Sequence, residues 1–508
     1  MKSSRCSLNK ATGSNKIIRY ALPTAVGMLL LSFALKTAGQ MFYLICAVLF
    51  AIIGVIICVF KNPKGALISA ILLSLFCIRI LSVTTMQVEN SYNISGETES
   101  VIAVVTETPE SYGSDDNYGV CNVRIERSER NILKKGSILS LRGNDIALLR
   151  QGDKISANIK LEHFEDTDIA LYYYSENVFI SGKVTDGLSV TNSNKGIYGF
   201  AGKINSYAKK VLMRNAENFG ILLALITGDR SNISDEVYDA VKVSGVSHIL
   251  VVSGMHLAIL CGLVFKLLNM FGGSQILKDT ILVIFLFLMM CVCGFGMSML
   301  RASIVYVIVI IYRRIRRLED SVLCLADAII IVLFIHPFAV HSIAFQLSFA
   351  STYGILVLSR KIIFYLSGAR KQNFFMKEII EAAAVSLSAY IATLPIVIYN
   401  FGYVSTYAII VNILVSLPST VMLILGVLGL ASGVVPFVQS ILLFIADKIA
   451  DYFMFMVELA NAMPLPYIPI KNEKQLTVII ITVFVGIYML KIKPLRKFVK
   501  GIKNNGNM

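Results

Sequence analysis

The 508-residue chain has no tryptophan, only five histidines, and charged residues at just 16% of its length. Soluble proteins average about 25% charged. With 56% hydrophobic residues and a mean hydropathy of +0.71, that shortfall excludes an ordinary soluble globule. Most of the chain must face lipid or pack inside a membrane bundle. Nine cysteines are present, yet no Cys-x-x-Cys and no metal-ligand spacing occurs. Seven of them (Cys46, Cys58, Cys77, Cys261, Cys291, Cys293, Cys324) lie in or beside apolar runs, and Cys291 and Cys293 do not share a helix face. They read as small buried hydrophobes, and neither a metal nor a cofactor is expected.

What the chain does have is positive charge, 47 Lys+Arg against 32 Asp+Glu for a net +15. It is unevenly placed. Residues 84–195 hold 11 Lys+Arg and 17 Asp+Glu, a net −6, which leaves +21 on the rest. The basic excess belongs to the apolar portion and its loops, as the accumulation of Lys and Arg in cytoplasmic loops predicts.

A spanning helix needs about 20 mostly apolar residues. Three runs open the chain, at 17–35, 41–60 and 66–83, behind Lys2, Arg5, Lys10 and Lys16. With that basic end inside, the third helix exits and 84–195 lies outside. Runs resume at 246–268, 279–296, 298–312, 321–336, 341–359 and 380–399, and basic loops such as Arg313-Arg314-Ile315-Arg316-Arg317 all fall inside. Runs 404–417 and 420–435 flank Pro418, and 438–460 carries Asp447, Lys448, Asp451 and Glu458, which predicts an amphipathic outer-surface helix. A last run, 475–490, precedes a basic tail.

The predicted fold is therefore a polytopic α-helical membrane protein of about ten to twelve spans plus interfacial helices, with an extracytoplasmic β domain inserted after the third helix. The divisions are 1–83, a three-helix membrane segment; 84–195, the outer domain; 196–490, the main transmembrane domain; and 491–508, a basic cytoplasmic tail. Both termini are cytoplasmic. In the outer domain the alternating runs at 101–106, 119–125, 137–141, 153–159 and 177–184, separated by Gly, Asp, Asn and Ser, predict about five strands in a small OB-like barrel. Residues 196–245 are less apolar and predict helices on or dipping into the outer face. Ser234 with Asp235 and Glu236 marks one helix start, and Gly245 its end.

Four constellations carry polar chemistry at membrane depth. Thr227-Gly228-Asp229-Arg230-Ser231 follows an apolar run directly. Gly245 through His256 places His248, Ser253, Gly254 and His256 inside an otherwise spanning segment. On a continuous helix the two imidazoles lie about 80° apart and line one wall. Arg301 and Asp327 sit within predicted spans, where an ionisable group costs at least about 2.5 kcal/mol and needs a partner or a wet cavity. Gln346, in Phe345-Gln346-Leu347-Ser348-Phe349, and Asn412, ahead of Pro418, complete the set. Each has a plainer reading: a histidine hydrogen-bonded inside a bundle, a glycine permitting close packing, an arginine snorkelling to the interface. An outer cluster, Arg124, Arg127, Arg130, Lys134 and Lys135, is interrupted by Glu126 and Glu129; it reads either as a solvated strand face or as a phosphate contact.

Gly228-Asp229-Arg230-Ser231, followed by the block Gly245-x-Ser-His-x-Leu-x-x-Ser-Gly-x-His256, resembles the competence domain of ComEC-type DNA-internalisation proteins. Arg301-Ala302, Asp327, His336-Pro337, Phe345 to Phe349 and Asn412 to Pro418 fall in that family's order. The resemblance implies a channel in the bacterial cytoplasmic membrane that passes single-stranded DNA during natural transformation, in contact with membrane lipids. It implies an extracytoplasmic DNA receptor and a cytoplasmic ATP-driven DNA motor; the sequence leaves the oligomeric state open, a homo-oligomer included. Its DNA path would run past Asp229, Arg230, His248, Ser253, Gly254, His256, Arg301, Asp327, Gln346 and Asn412, with Asp229 and Asp327 orienting the cations. Many members carry a metallo-β-lactamase-like nuclease domain, but no His-x-His-x-Asp-His occurs among His163, His248, His256, His336 and His341. No enzymatic activity is therefore expected of this chain, and strand degradation is expected of a separate nuclease.

Two other classes compete. A membrane-embedded hydrolase would use His248, His256 and Asp229, but two histidines so spaced without a nearby Glu pair make a poor metal site. A small-solute transporter commonly shows paired broken helices in internal repeats, and no convincing duplication is visible.

Overall fold

The computed structural model describes residues 23–34, 45–50, 64–111, 117–193, 196–252, 254–293, 297–314, 321–367 and 373–470, besides positions 21, 42 and 52. The expected run 475–490, the tail 491–508, Ser253, Arg316, Arg317 and most of 41–60 lie outside the described residues.

Helices α1 (Pro23–Phe33) and α2 (Lys64–Val83) belong to the opening segment. The helix expected to stop at Val83 continues through a π turn at Thr84–Glu89 and reaches Asn93. The boundary expected at 84 is thus about ten residues, nearly three turns, too early. No glycine or proline interrupts 67–93, and the Thr84 hydroxyl donates back to the Ile80 carbonyl.

The outer domain holds strands β1 (Thr98–Val105), β2 (Glu110–Ser111), β3 (Gly119–Ser128), β4 (Ile138–Gly143), β5 (Asp153–Glu162) and β6 (Ser181–Ser193). Their order is β1-β5-β6-β4-β3, and β3 pairs back with β1, which closes a five-stranded barrel; β2 is a short edge on β3. Only the β4–β6 pairing is parallel. Alternation builds the core: Cys121, Val123 and Ile125 of β3 and Ile155, Ala157, Ile159 and Leu161 of β5 are buried and meet inside. The strand expected at 177–184 begins at Ser181 instead, preceded by an unexpected helix α3 (Thr167–Ser175). Tyr172-Tyr173-Tyr174 favours strand by propensity. The Asp166 carboxylate overrides it, accepting the Asp168 and Ile169 amides at 2.7 and 3.3 Å as an N-cap.

The barrel is anchored to the bundle at two places. On α4 (Ile197–Asn215), Gly202 lies against the Gln151 carbonyl so closely that no Cβ would fit. Nearby, Asn205 Nδ2 donates to Gln151 Oε1 at 2.6 Å and to the Val292 carbonyl at 3.1 Å. Elsewhere Tyr174 and Phe179 pack their rings on Phe338 at 5.4 and 6.1 Å.

The main bundle comprises α5 (Phe219–Thr227), α6 (Asp235–Val243), α7 (Gly254–Met270), α8 (Gln275–Val292), α9 (Met297–Arg314), α10 (Ser321–Ile335), α11 (Ile343–Ser367), α12 (Phe374–Phe401), α13 (Ala408–Ala431) and α14 (Pro436–Ala462). A two-stranded ribbon of β7 (Tyr403–Ser405) and β8 (Tyr467–Pro469) closes one end. Among the described residues five helices are long and apolar enough to cross a membrane: Leu67–Asn93, Gln275–Val292, Ile343–Ser367, Met376–Phe401 and Ala408–Ala431. The chain is a multi-pass membrane protein.

Three expectations need correction. Of the two settings expected for α5, on or dipping into the outer face, burial excludes the first. Every residue from Gly220 to Thr227 is buried, because a helix apolar all round has no face to offer water. The runs flanking Pro418 form a single helix, α13. The proline removes the amide that would bond Leu414, and the Tyr452 hydroxyl of α14 reaches that carbonyl at 3.5 Å. Helix α14, expected on the outer surface, instead packs along α13 with Leu443, Ala446, Asp447, Ala450, Phe453, Val457 and Ala460 buried. Its Asp447 accepts the Asn218 amide at 2.8 Å and the Asn218 side chain at 3.3 Å, so a carboxylate meets the N-terminal end of α5.

Glu107, just beyond β1, is half-buried and accepts the Asn122 amide at 3.1 Å. Desolvation pushes its carboxyl up to about 7, helped by the neighbouring Glu110 and Glu176 carboxylates and opposed by that hydrogen bond. An unfolded glutamate titrates near ~4.3. A raised folded value means the contribution is full below that pH and is lost as pH climbs through 7. Glu107→Gln is therefore expected to raise the unfolding midpoint of the full-length protein in detergent at pH 8 and to change it little at pH 5. Equal shifts at both pH values refute this assignment.

Candidate functional site

The Gly-Asp-Arg-Ser segment is a turn closed on itself. Gly228 ends α5 in the left-handed region at φ +83°. Asp229 Oδ1 accepts the Ser231 amide at 2.9 Å, and Thr227 Oγ1 accepts the Asp229 amide at 3.2 Å. The turn thereby presents Arg230 away from its own backbone. Arg230 Nη1 donates to Tyr238 Oη at 2.7 Å, and its guanidinium lies 5.3 Å from that ring's centre. Lys242 Nζ sits 4.3 Å from the same centre. Helix α6 thus holds two cations on one aromatic ring. Its start is fixed as expected: Ser234 Oγ accepts the Val237 amide, and Gly245 follows the helix at φ +80°.

Beyond Gly245 the chain does not enter a long helix. It makes a 3-10 turn at Ser247–Ile249, and α7 begins only at Gly254. His248 and His256 therefore do not share a helix wall, and the expected 80° relation fails. The turn is held because Gly245 lies against α13; a Cβ there would overlap Ala408 and come within 3.0 Å of Ser405 Oγ. His248 stays accessible, with the Asn412 side chain in hydrogen-bonding reach. Asn412 Nδ2 donates to Ser386 Oγ at 2.9 Å. His256 is 1% exposed in the first turn of α7; it is bonded to the Val251 backbone and is close enough to His248 to interact with it electrostatically. The break thus brings His248, His256 and Asn412 into one neighbourhood.

Arg301 on α9 is 2% exposed, with its guanidinium 5.8 Å from the Phe345 ring centre. It does not snorkel. One residue on, Ala302 would stand 3.5 Å from a Cβ placed on Gly254, an ordinary packing distance. Arg301 therefore sits between the Gly254 helix start and the Phe345 motif.

Three expected path residues are engaged in local structure. Asp229 serves its own turn. Asp327 accepts from the Tyr312 hydroxyl. Neither carboxylate pairs with a cation among the described residues: Asp229 acts on Arg230 only through the turn that it closes, and Asp327 meets a hydroxyl. Gln346 Nε2 donates to the Val340 carbonyl at 2.9 Å and fastens the turn before α11. Ser253 lies outside the described residues.

All five outer-cluster cations are exposed. Arg130 reaches Glu97 at 4.0 Å, while Glu126 pairs with Lys154 at 2.6 Å rather than with the cluster. Arg124, Arg127, Lys134 and Lys135 carry no ion pair among the described residues. Tyr238, Lys242 and Ser386 were missed. The first two stand four apart behind a helix cap, which places them on one face; Ser386 had no signal, since its role depends on α12 meeting α13. Among the described residues no three His, Cys, Asp or Glu side chains converge to hold a metal ion.

The architecture defines a class: a multi-pass membrane bundle with an inserted β barrel and a broken helix carrying polar groups. The competence protein family model matches residues 225–495, more than half of the chain, and the chain belongs to that family. It is also 27% identical over 248 residues to ComE operon protein 3 of Bacillus subtilis (strain 168), covering 48% of this chain and 30% of that protein. The chain thus spans about a third of that relative's length in alignment. No solved structure matches it.

Gly245→Ala places a Cβ at positive φ and against Ala408. It is expected to destabilise the protein by more than about 1 kcal/mol and to lower its unfolding midpoint in detergent. An unchanged midpoint shows that the approach to α13 does not fix the turn.

Proposed function

We propose that this protein conducts single-stranded DNA across a bacterial cytoplasmic membrane during natural transformation. Membership of the competence family supports the process. The observation that carries the chemistry is the broken helix between α6 and α7, whose turn keeps His248 accessible beside His256 and Asn412, with Arg230 and Lys242 on Tyr238 at its approach. A polyanion cannot cross hydrocarbon and needs a wet passage lined by donors and cations. Irregular backbone at membrane depth is tolerated where it is buried in protein or lines such a passage. Few, spaced cations suit a strand that must slide rather than stick.

In this reading both termini are cytoplasmic, the spans number about ten to twelve, and the barrel faces outward. Five strands closed in the order β1-β5-β6-β4-β3 support an OB-like assignment. Arg124, Arg127, Lys134 and Lys135 would receive phosphates handed over by an extracytoplasmic receptor. A cytoplasmic ATP-driven motor would draw the strand, a separate nuclease would degrade its complement, and the channel would self-associate.

Arg230→Ala and His256→Ala are each expected to reduce internalised labelled DNA by at least tenfold while surface-bound label and membrane insertion stay normal. Uptake at the wild-type level by both variants refutes the placement of these residues on the path.

A further inference from the structure

The approach to Arg230 is acidic, which is unexpected for a polyanion's route. Glu110, on the short edge strand β2 of the barrel, places Oε1 3.8 Å from Arg230 Nη2. Glu107 and Glu176 are close enough to Glu110 or to each other to act electrostatically within the same group, with Tyr172 among them. The carboxylate that meets Arg230 therefore belongs to an acidic patch of the barrel.

The contact itself puts a carboxylate oxygen on the guanidinium, where a phosphate oxygen would bind. A carboxylate is the protein's own mimic of a phosphate oxygen, and arginine binds both through the same donors. We infer that Glu110 is an internal competitor, occupying Arg230 while the channel is empty and giving way to a backbone phosphate when a strand arrives.

The geometry suits exchange. Side-chain exposures of 37% for Arg230 and 76% for Glu110 leave the pair open to water. Exposed pairs of this kind are weak, so a strand can displace the carboxylate without a large barrier. Arg230 does not depend on Glu110 for its position, because Tyr238 holds the guanidinium from the channel side at 2.7 Å. The exchange is local. The barrel is fixed by Gly202 against Gln151 and by Phe338 against Tyr174, whereas β2 has two residues and pairs with β3 alone. Displacement of Glu110 therefore leaves the barrel in place. A ligand presenting phosphates at high local density displaces the carboxylate more readily than a lone small anion does.

This inference rests on the reading of Arg230 as a phosphate contact, and the experiment separates the two. Binding of a fluorescent single-stranded oligo-dT to the full-length protein in detergent is measured at low salt by anisotropy, for wild type, Glu110→Gln, Arg230→Ala and the double variant. Removing an exposed competitor is expected to tighten binding by about threefold to fivefold, and the gain is expected to vanish in the Arg230→Ala background. If Arg230→Ala weakens binding but Glu110→Gln leaves it unchanged or weaker, the competitor idea is overturned and the phosphate contact stands. If Arg230→Ala has no effect, the phosphate contact falls and the competitor falls with it. If Glu110→Gln tightens binding equally in both backgrounds, the effect is a general loss of negative charge and the competitor idea alone is overturned.

Discussion

An ionised or strongly polar side chain inside an apolar bundle persists only where a partner stabilises it, and that constraint explains the positions of the polar groups in this protein. Asp279, at the start of α8, is met by Arg313 and by Arg314, the latter at 2.6 Å, both from the end of α9. Asp447 on α14 satisfies the start of α5. Asp327 takes the Tyr312 hydroxyl, and Arg301 faces the Phe345 ring. Each pairing joins two helices, so the groups most costly to bury also fix helix register. The apolar side chains fill space and supply most of the stabilisation, but they do not distinguish one register from another so sharply.

The same constraint shaped what the sequence disclosed. Spans and outer strands were legible because hydropathy and alternation are local properties. The strands at β1, β3, β4 and β5 appear where Val101, Val123, Leu139 and Ile155 alternate with polar neighbours. The cap at Ser234 and the stop at Gly245 were legible for the same reason. Two of the errors share one cause, a partner remote in sequence. Asp447 read as surface charge because Asn218, its partner, lies 229 residues away. Pro418 read as a break because nothing nearby announces Tyr452. Helix α3 was not anticipated because a single cap, Asp166, outweighs the strand propensity of three tyrosines.

The candidate site divides along the same line. His248, His256 and Asn412 were picked out one by one as polar residues at depth, and the fold brings them together. The means was hidden: a helical wheel assumes an unbroken helix, and only the close approach of Gly245 to Ala408 shows that the chain turns first. Arg230 was found, but its setting was not, since Tyr238 and Lys242 lie on the following helix and Glu110 on a different domain. Asp229 and Gln346 demonstrate the opposite hazard. Both have the right chemistry and the expected position, yet their hydrogen bonds are spent on the turns that display other residues.

Motif conservation of chemistry is therefore not the same as participation in it. In the Gly-Asp-Arg-Ser turn, Asp229 closes the backbone so that Arg230 is free to point elsewhere, and replacing the aspartate would disturb the arginine without the aspartate ever meeting a ligand. Arg230 in turn is held on both sides by groups of different kind. Tyr238 supplies an aromatic face and a hydroxyl that remain whatever else is present, while Glu110 supplies a charge that an anion can replace. A cation with one permanent and one exchangeable partner stays in position through the exchange. A binding site on a moving polymer needs this property, because successive phosphates must find the same donor geometry each time one leaves.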